Sequence, residues 1–133
     1  MFSTFPEHSK AKTWWDKTLS GSQPVRLAYV VILGFVRIST NRRVLSDPLT
    51  VVQAVQVVDG WIQQPNVEFI APADGHWSNL KTMISKSNAG SNLITDAHIA
   101  ASAADYGLIV YSNDTDFARF PSIKTVNPLK GVL

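Results

Sequence analysis

"TDAHIAASAADYGLIVYSNDTDFARF", residues 95–120, decides how this chain is read. Residues 95–107 set an Ile/Ala face between Thr95 and Gly107, which predicts a helix capped by Thr95 and stopped at the glycine. "LIVYS" (108–112) follows at once as a buried-strand run, and "DFARF" is a short turn of helix. So tight a connection through Gly107 turns the strand antiparallel to the helix, and the strand's carboxyl end returns beside the helix N-terminus. Asp96 opens the helix, while Asp114 and Asp116 lie just past the strand. Three carboxylates are therefore expected at one sheet edge. Taken singly, each has a structural reading: Asp96 complements the helix dipole, and "SNDTD" is good turn chemistry. Taken together they repel unless cations or donors compensate, and hard cations such as Mg2+ or Mn2+ take oxygen ligands. Both readings stand on the residues alone.

The rest of the chain alternates helical and strand signals. Helices are expected over 7–21, where Pro6 and Gly21 punctuate the ends, and over 27–40, where the β-branched content keeps a strand open. A helix over 50–64 takes Thr50 as N-cap and repeats Val51, Val52, Val55, Val58 and Ile62 at helical spacing. "NVEFIAP" (66–72) is a strand. Residues 73–90 read as a helix with Trp77, Leu80, Met83 and Ile84 inward and Gly90 as its stop, and "IKTVN" (123–127) is a last strand. Helices alternating with short buried strands predict an α/β fold with a parallel sheet, whose ligands bind outside the carboxyl ends of the strands.

Composition bounds the function. The chain has 133 residues, 45% apolar and 17% charged, in the single-domain range, and one domain over 1–133 is expected. No apolar run reaches the roughly 20 residues of a membrane span, and no basic-then-apolar signal segment is seen. With no cysteine there is no disulfide or thiolate chemistry, and a cytoplasmic setting suits the chain. The three histidines lack zinc-like spacing. Net charge is only +2, but "RISTNRR" (37–43) gathers Arg37, Arg42 and Arg43 as a phosphate-facing patch or a solvated helix end.

"NLITDAHIAASAADYG" followed by "LIVYSNDTDFARFPSIKTVNPL", with "LGFVRISTNRRV" and "DGHW", closely resembles PIN-domain ribonucleases of the VapC toxin type. The resemblance runs from about residue 6 to the end. It implies a three-layer α/β/α fold and Mg2+- or Mn2+-dependent endoribonuclease activity on RNA. It also implies a cognate antitoxin as partner and a homodimer. By position, Asp96, Asp114 and Asp116 match the family's metal-site carboxylates, and Ser112 or Asn113 would support them by a hydrogen bond. Arg37, Arg42, Arg43 and Arg119 are the candidate phosphate contacts.

Two departures from the family pattern carry expectations. Relatives begin with an apolar–apolar–Asp–x–Asn strand that supplies a first metal-binding acid, whereas this chain opens "MFSTFPEHSK". The first strand is therefore expected to be missing, through a misassigned start or a shortened chain, with hydrolysis impaired. Many relatives also carry a Glu in the second helix, where Gly34 and Tyr29 stand here. The alternative these departures favour is an inactive PIN-like module that binds RNA or an antitoxin. Among the remaining residues, His98 is expected to be exposed or packed, and His76 to start a helix beside Asp74. The Trp14–Trp15 pair is a candidate partner surface.

Overall fold

The computed structural model describes residues 6–88, 90–120 and 122–129. Its elements run α1 (Pro6–Leu19), β1 (Val25–Ala28), α2 (Tyr29–Ser39), α3 (Val51–Ile62), β2 (Val67–Ile70), α4 (His76–Ser87), α5 (Ile94–Tyr106), β3 (Ile109–Tyr111) and β4 (Lys124–Val126). They fall into two compact units, residues 1–70 and 71–133. The expected loss of a first strand concerns the chain's opening, and residues 1–5 lie outside the described residues.

In the first unit β1 and β2 pair in parallel, with Val25 opposite Val67 and Ala28 opposite Ile70. The α2–α3 crossover joins them, as a parallel pair requires. Leu27, Ile32, Val58 and Val67 form the buried centre, and Trp15, Phe35, Trp61 and Phe69 pack around it. Trp15 meets Trp61 edge-on at 5.5 Å, which gives one member of the Trp14–Trp15 pair to the core. Thr50 caps α3 as expected: its side chain accepts the Gln53 N–H, and the Gln53 side chain accepts the Thr50 N–H. Asn66 fixes the turn into β1 by donating to the carbonyls of Thr18 and Gln23, each at 3.0 Å.

One expectation changes in this unit, and several of its apolar residues are exposed. The apolar run at 27–40 divides, its first residues closing β1 before α2 starts at Tyr29. Val25 and Leu27 alternating around Arg26 after Pro24 carried that signal. Only Ala54 and Val58 of α3 are buried, while Val51, Val52 and Val55 are exposed, because a regular apolar spacing shows that a face exists but not that it is covered. Tyr29 and Leu33 of α2 are exposed as well.

The second unit packs α4 on α5 and pairs β3 with β4 in parallel, Ile109 opposite Lys124 and Tyr111 opposite Val126. The contact face of α5 is almost all alanine: Ala97, Ala100, Ala101 and Ala103 are buried together with Met83, Val110, Phe117 and Phe120. Small side chains let the neighbouring elements approach closely, so larger ones here would overpack the core. Met83 is 3% exposed, and its replacement by Ala is expected to cost about 2–5 kcal/mol. Gly107 holds the left-handed C-cap of α5 at φ 64°, as expected, and hands the chain directly to β3. Asn88, not Gly90, takes the left-handed position that ends α4. Trp77 faces outward at 65% exposure, against the inward expectation, because α4 begins at His76 and turns that histidine to α5 instead.

Candidate functional site

The carboxyl end of β3 and the first turn of α5 meet as the tight Gly107 connection requires. Asp96, Asp114 and Asp116 each bring one carboxylate oxygen within 4.8 Å of the others. Asp96 lies in the first turn of α5, whose N-cap, Leu93, offers no side-chain hydrogen bond. A short 3-10 turn, Ser91–Leu93, precedes the helix, so Thr95 is already inside it and cannot be the expected cap.

The turn bearing the other two acids is fixed from both sides. The Asp114 N–H donates to Ser112 Oγ at 3.0 Å. Asp114 Oδ1 accepts the Asp116 N–H at 2.9 Å and so caps the 3-10 turn Thr115–Arg119. The turn and acid-cluster readings of this stretch are therefore compatible, since a carboxylate has acceptor capacity beyond a single cap bond. Phe117 and Phe120 then anchor the turn in the core at 6% and 4% exposure. Asn113 Oδ1 accepts from Asn127 Nδ2 at 3.0 Å and ties the turn to the end of β4.

Within the cluster the Asp116 N–H gives Asp114 one donor, while Asp96 faces two further negative charges. Burial raises the Asp96 carboxyl above its ordinary 3.8, and the charges of Asp114 and Asp116 push it the same way. Among the described residues Arg119 forms an ion pair with the cluster, 3.9 Å from Asp116 with both side chains nearly half exposed. An ion pair that long and that wet holds little. The donor set therefore suits a hard divalent cation: all oxygen, mutually repelling and partly open to solvent. Arg37, Arg42 and Arg43 are exposed in the first unit, at the end of α2 and in the turn after it.

A second ionisable cluster stands on the same helix and was not expected. The Asp105 side chain is 0% exposed. It accepts the Ala73 N–H at 3.2 Å, Asn79 Nδ2 at 2.8 Å and His76 Nδ1 at 2.5 Å. Burial alone would raise this carboxyl, but the hydrogen bonds from Asn79, His76 and Ala73 and the charge of His76 outweigh it and hold it below 3.8. An ionised carboxylate only accepts, so His76 Nδ1 donates to it, while His76 Nε2 and His98 Nδ1 share a hydrogen bond at 2.9 Å. Burial first, and then His76, lower the pKa of His98 below 6.5, against the pull of Asp105.

His76 thus pairs with Asp105, not with Asp74. At about 100° per residue, Asp105 lies some 180° around α5 from Asp96 and within about 20° of His98. That seven-residue spacing of His98 and Asp105 was the available sequence signal.

Comparison with known proteins places these features in a family. The PIN domain family matches residues 1–123. Ribonuclease VapC33 of Mycobacterium tuberculosis is 37% identical over 126 residues, which cover 95% of this chain and 88% of that protein. Ribonuclease VapC37 of the same organism is 32% identical over 126 residues, with the same coverage of each chain. Ribonuclease VapC43, also of M. tuberculosis, is 33% identical over 125 residues, or 94% of this chain and 85% of its own.

Proposed function

The chain belongs to the PIN-domain family, and from that premise we propose that it is the toxin of a toxin–antitoxin pair, an endoribonuclease whose Asp96, Asp114 and Asp116 hold a divalent cation. Its helices and parallel strand pairs are those of the family's α/β fold. The observation that carries the reading is the acid cluster, with three carboxylates within 4.8 Å at the end of a parallel strand. The ribonuclease names of its relatives weigh against the inactive-module alternative.

When bound, Mg2+ or Mn2+ supplies Lewis acidity, which makes water a better nucleophile at neutral pH and neutralises charge developing on the phosphate. The protein's share is placement. Asp96, Asp114 and Asp116 form the oxygen set, Ser112 and the capping bond fix the backbone that carries two of them, and Phe117 and Phe120 hold that backbone to the core. Arg119 offers a cation to the phosphate beside the acids, and Arg37, Arg42 and Arg43 offer further backbone contacts. A cognate antitoxin and a second copy of the chain are its expected protein partners.

The test is RNA cleavage by the purified chain with Mg2+ or Mn2+. Cutting that a chelator stops, and that Asp96→Asn or Asp114→Asn abolishes, supports the reading. A folded chain that cuts no RNA with either ion contradicts it.

A further inference from the structure

Beside the acid cluster the second unit carries an open groove of about 180 Å3, lined by Ser112, Asp114, Ala118, Thr125, Val126 and Asn127. We propose that this groove, at the carboxyl ends of β3 and β4, receives one unpaired RNA base next to the bond that is cut. The proposal rests on the nuclease reading above and adds to it where, and by which residues, the substrate's sequence is read.

Three observations carry it. Asp114 lines the groove and also belongs to the acid cluster, so an occupant sits within one side chain of the reacting phosphate. The volume is below the roughly 300–1,000 Å3 of sites for drug-sized ligands, which suits a single ring system and leaves no room for a base pair. The wall combines Ala118 and Val126 with the hydroxyls of Ser112 and Thr125 and the amide of Asn127, the mixture that holds a flat heterocycle by contact and reads its edge by hydrogen bonds.

Asn127 is already set for that role. Its Oδ1 accepts the Leu129 N–H at 2.9 Å and its Nδ2 donates to Asn113 Oδ1 at 3.0 Å. These two bonds fix which end of the amide is oxygen, and they leave one N–H and one lone pair for a ligand. Thr125 is exposed, and its hydroxyl adds a second donor and acceptor. A base inside a duplex presents neither its face nor its pairing edge, so the base that enters must come from a loop or single strand.

The experiment uses the full chain with Mn2+ and a pool of hairpin RNAs with randomised loops, the cut ends being sequenced. Wild type is expected to cut in loops, with a base preference at one position flanking the cut. Ala118→Phe fills the groove from an exposed position. It should erase that preference and raise KM about tenfold or more with kcat little changed, while the melting temperature stays at the wild-type value. Thr125→Val, which removes only a hydroxyl, should weaken the preference. Cutting with the same preference and KM in both variants overturns the groove proposal while leaving the nuclease reading intact. Cutting in paired stems as fast as in loops also overturns it. No cutting by the wild type brings down both.

Discussion

Helix α5 carries an aspartate near each end, and the two live in opposite environments. The Asp105 side chain is fully buried yet ionises more readily than an ordinary carboxyl, because Asn79, His76 and the Ala73 N–H all donate to it. Asp96 is only partly buried yet ionises less readily, because burial and two neighbouring aspartates oppose its charge. Depth of burial does not decide which of these two carboxyls ionises more readily; the source of compensation does. The protein itself supplies donors to Asp105, and around Asp96 it supplies more anions. The first arrangement completes a fold, and the second, in the function we propose, is completed by a cation.

Substitutions should break this comparison in opposite directions. Asp96→Asn, Asp114→Asn and Asp116→Asn are expected to lower metal-dependent RNA cleavage by about 100-fold or more while the chain stays as stable as the wild type or becomes more stable. Kinetics and thermal melting on the same samples check both halves. Asp105→Ala reverses the pattern. It leaves His76, Asn79 and the Ala73 N–H without their acceptor and should cost about 2–4 kcal/mol of folding free energy, read from urea midpoints.

Acid sharpens the same contrast without altering the sequence. Asp105, with its pKa depressed, contributes stability above 3.8 that is lost as pH falls below that value through its folded pKa. Asp96, with its pKa raised, contributes a cost absent below 3.8, which sets in as pH rises from 3.8 through the raised value and persists above it. His98, held below 6.5, loses stability as pH falls from 6.5 through its own folded value, so the raw profile mixes several effects. The difference between Asp96→Asn and wild type in metal-free buffer isolates the Asp96 contribution. The variant should be the more stable at neutral pH, and its advantage should shrink as pH falls toward 3.8.

The smallest effect is expected at Arg119. Its 3.9 Å pair with Asp116 is half in solvent, so Arg119→Gln should change stability by less than about 0.5 kcal/mol. A raised KM for RNA with unchanged melting would identify Arg119 as a phosphate contact and not a neutraliser of the acid cluster.

The acid cluster was legible in the sequence because a short connection constrains direction: once Gly107 turns the chain, Asp96 and the residues after β3 must meet. The N-cap at Thr50 and the stop at Gly107 were legible for the same reason, since each depends on a few adjacent residues. The Asp105–His76–His98 chain was not. His76 and Asp105 are 29 residues apart and meet only when α4 packs on α5, which depends on the alanine face and not on any local motif. Burial was misjudged at Trp77, expected inward and found exposed, and helical spacing alone does not show which face is covered. Val51, Val52 and Val55 repeat as a core face does and yet are exposed.

Mn2+ binding, followed by the loss of the free ion's paramagnetic resonance signal as protein is added, tests the account most directly. The wild-type chain is predicted to take up Mn2+ and to give it up to excess Mg2+, whereas Asp96→Asn and Asp114→Asn, folded by melting, leave the ion free. Uptake by those variants equal to that of the wild type, or none by the wild type, would contradict the claim that Asp96, Asp114 and Asp116 form a cation site.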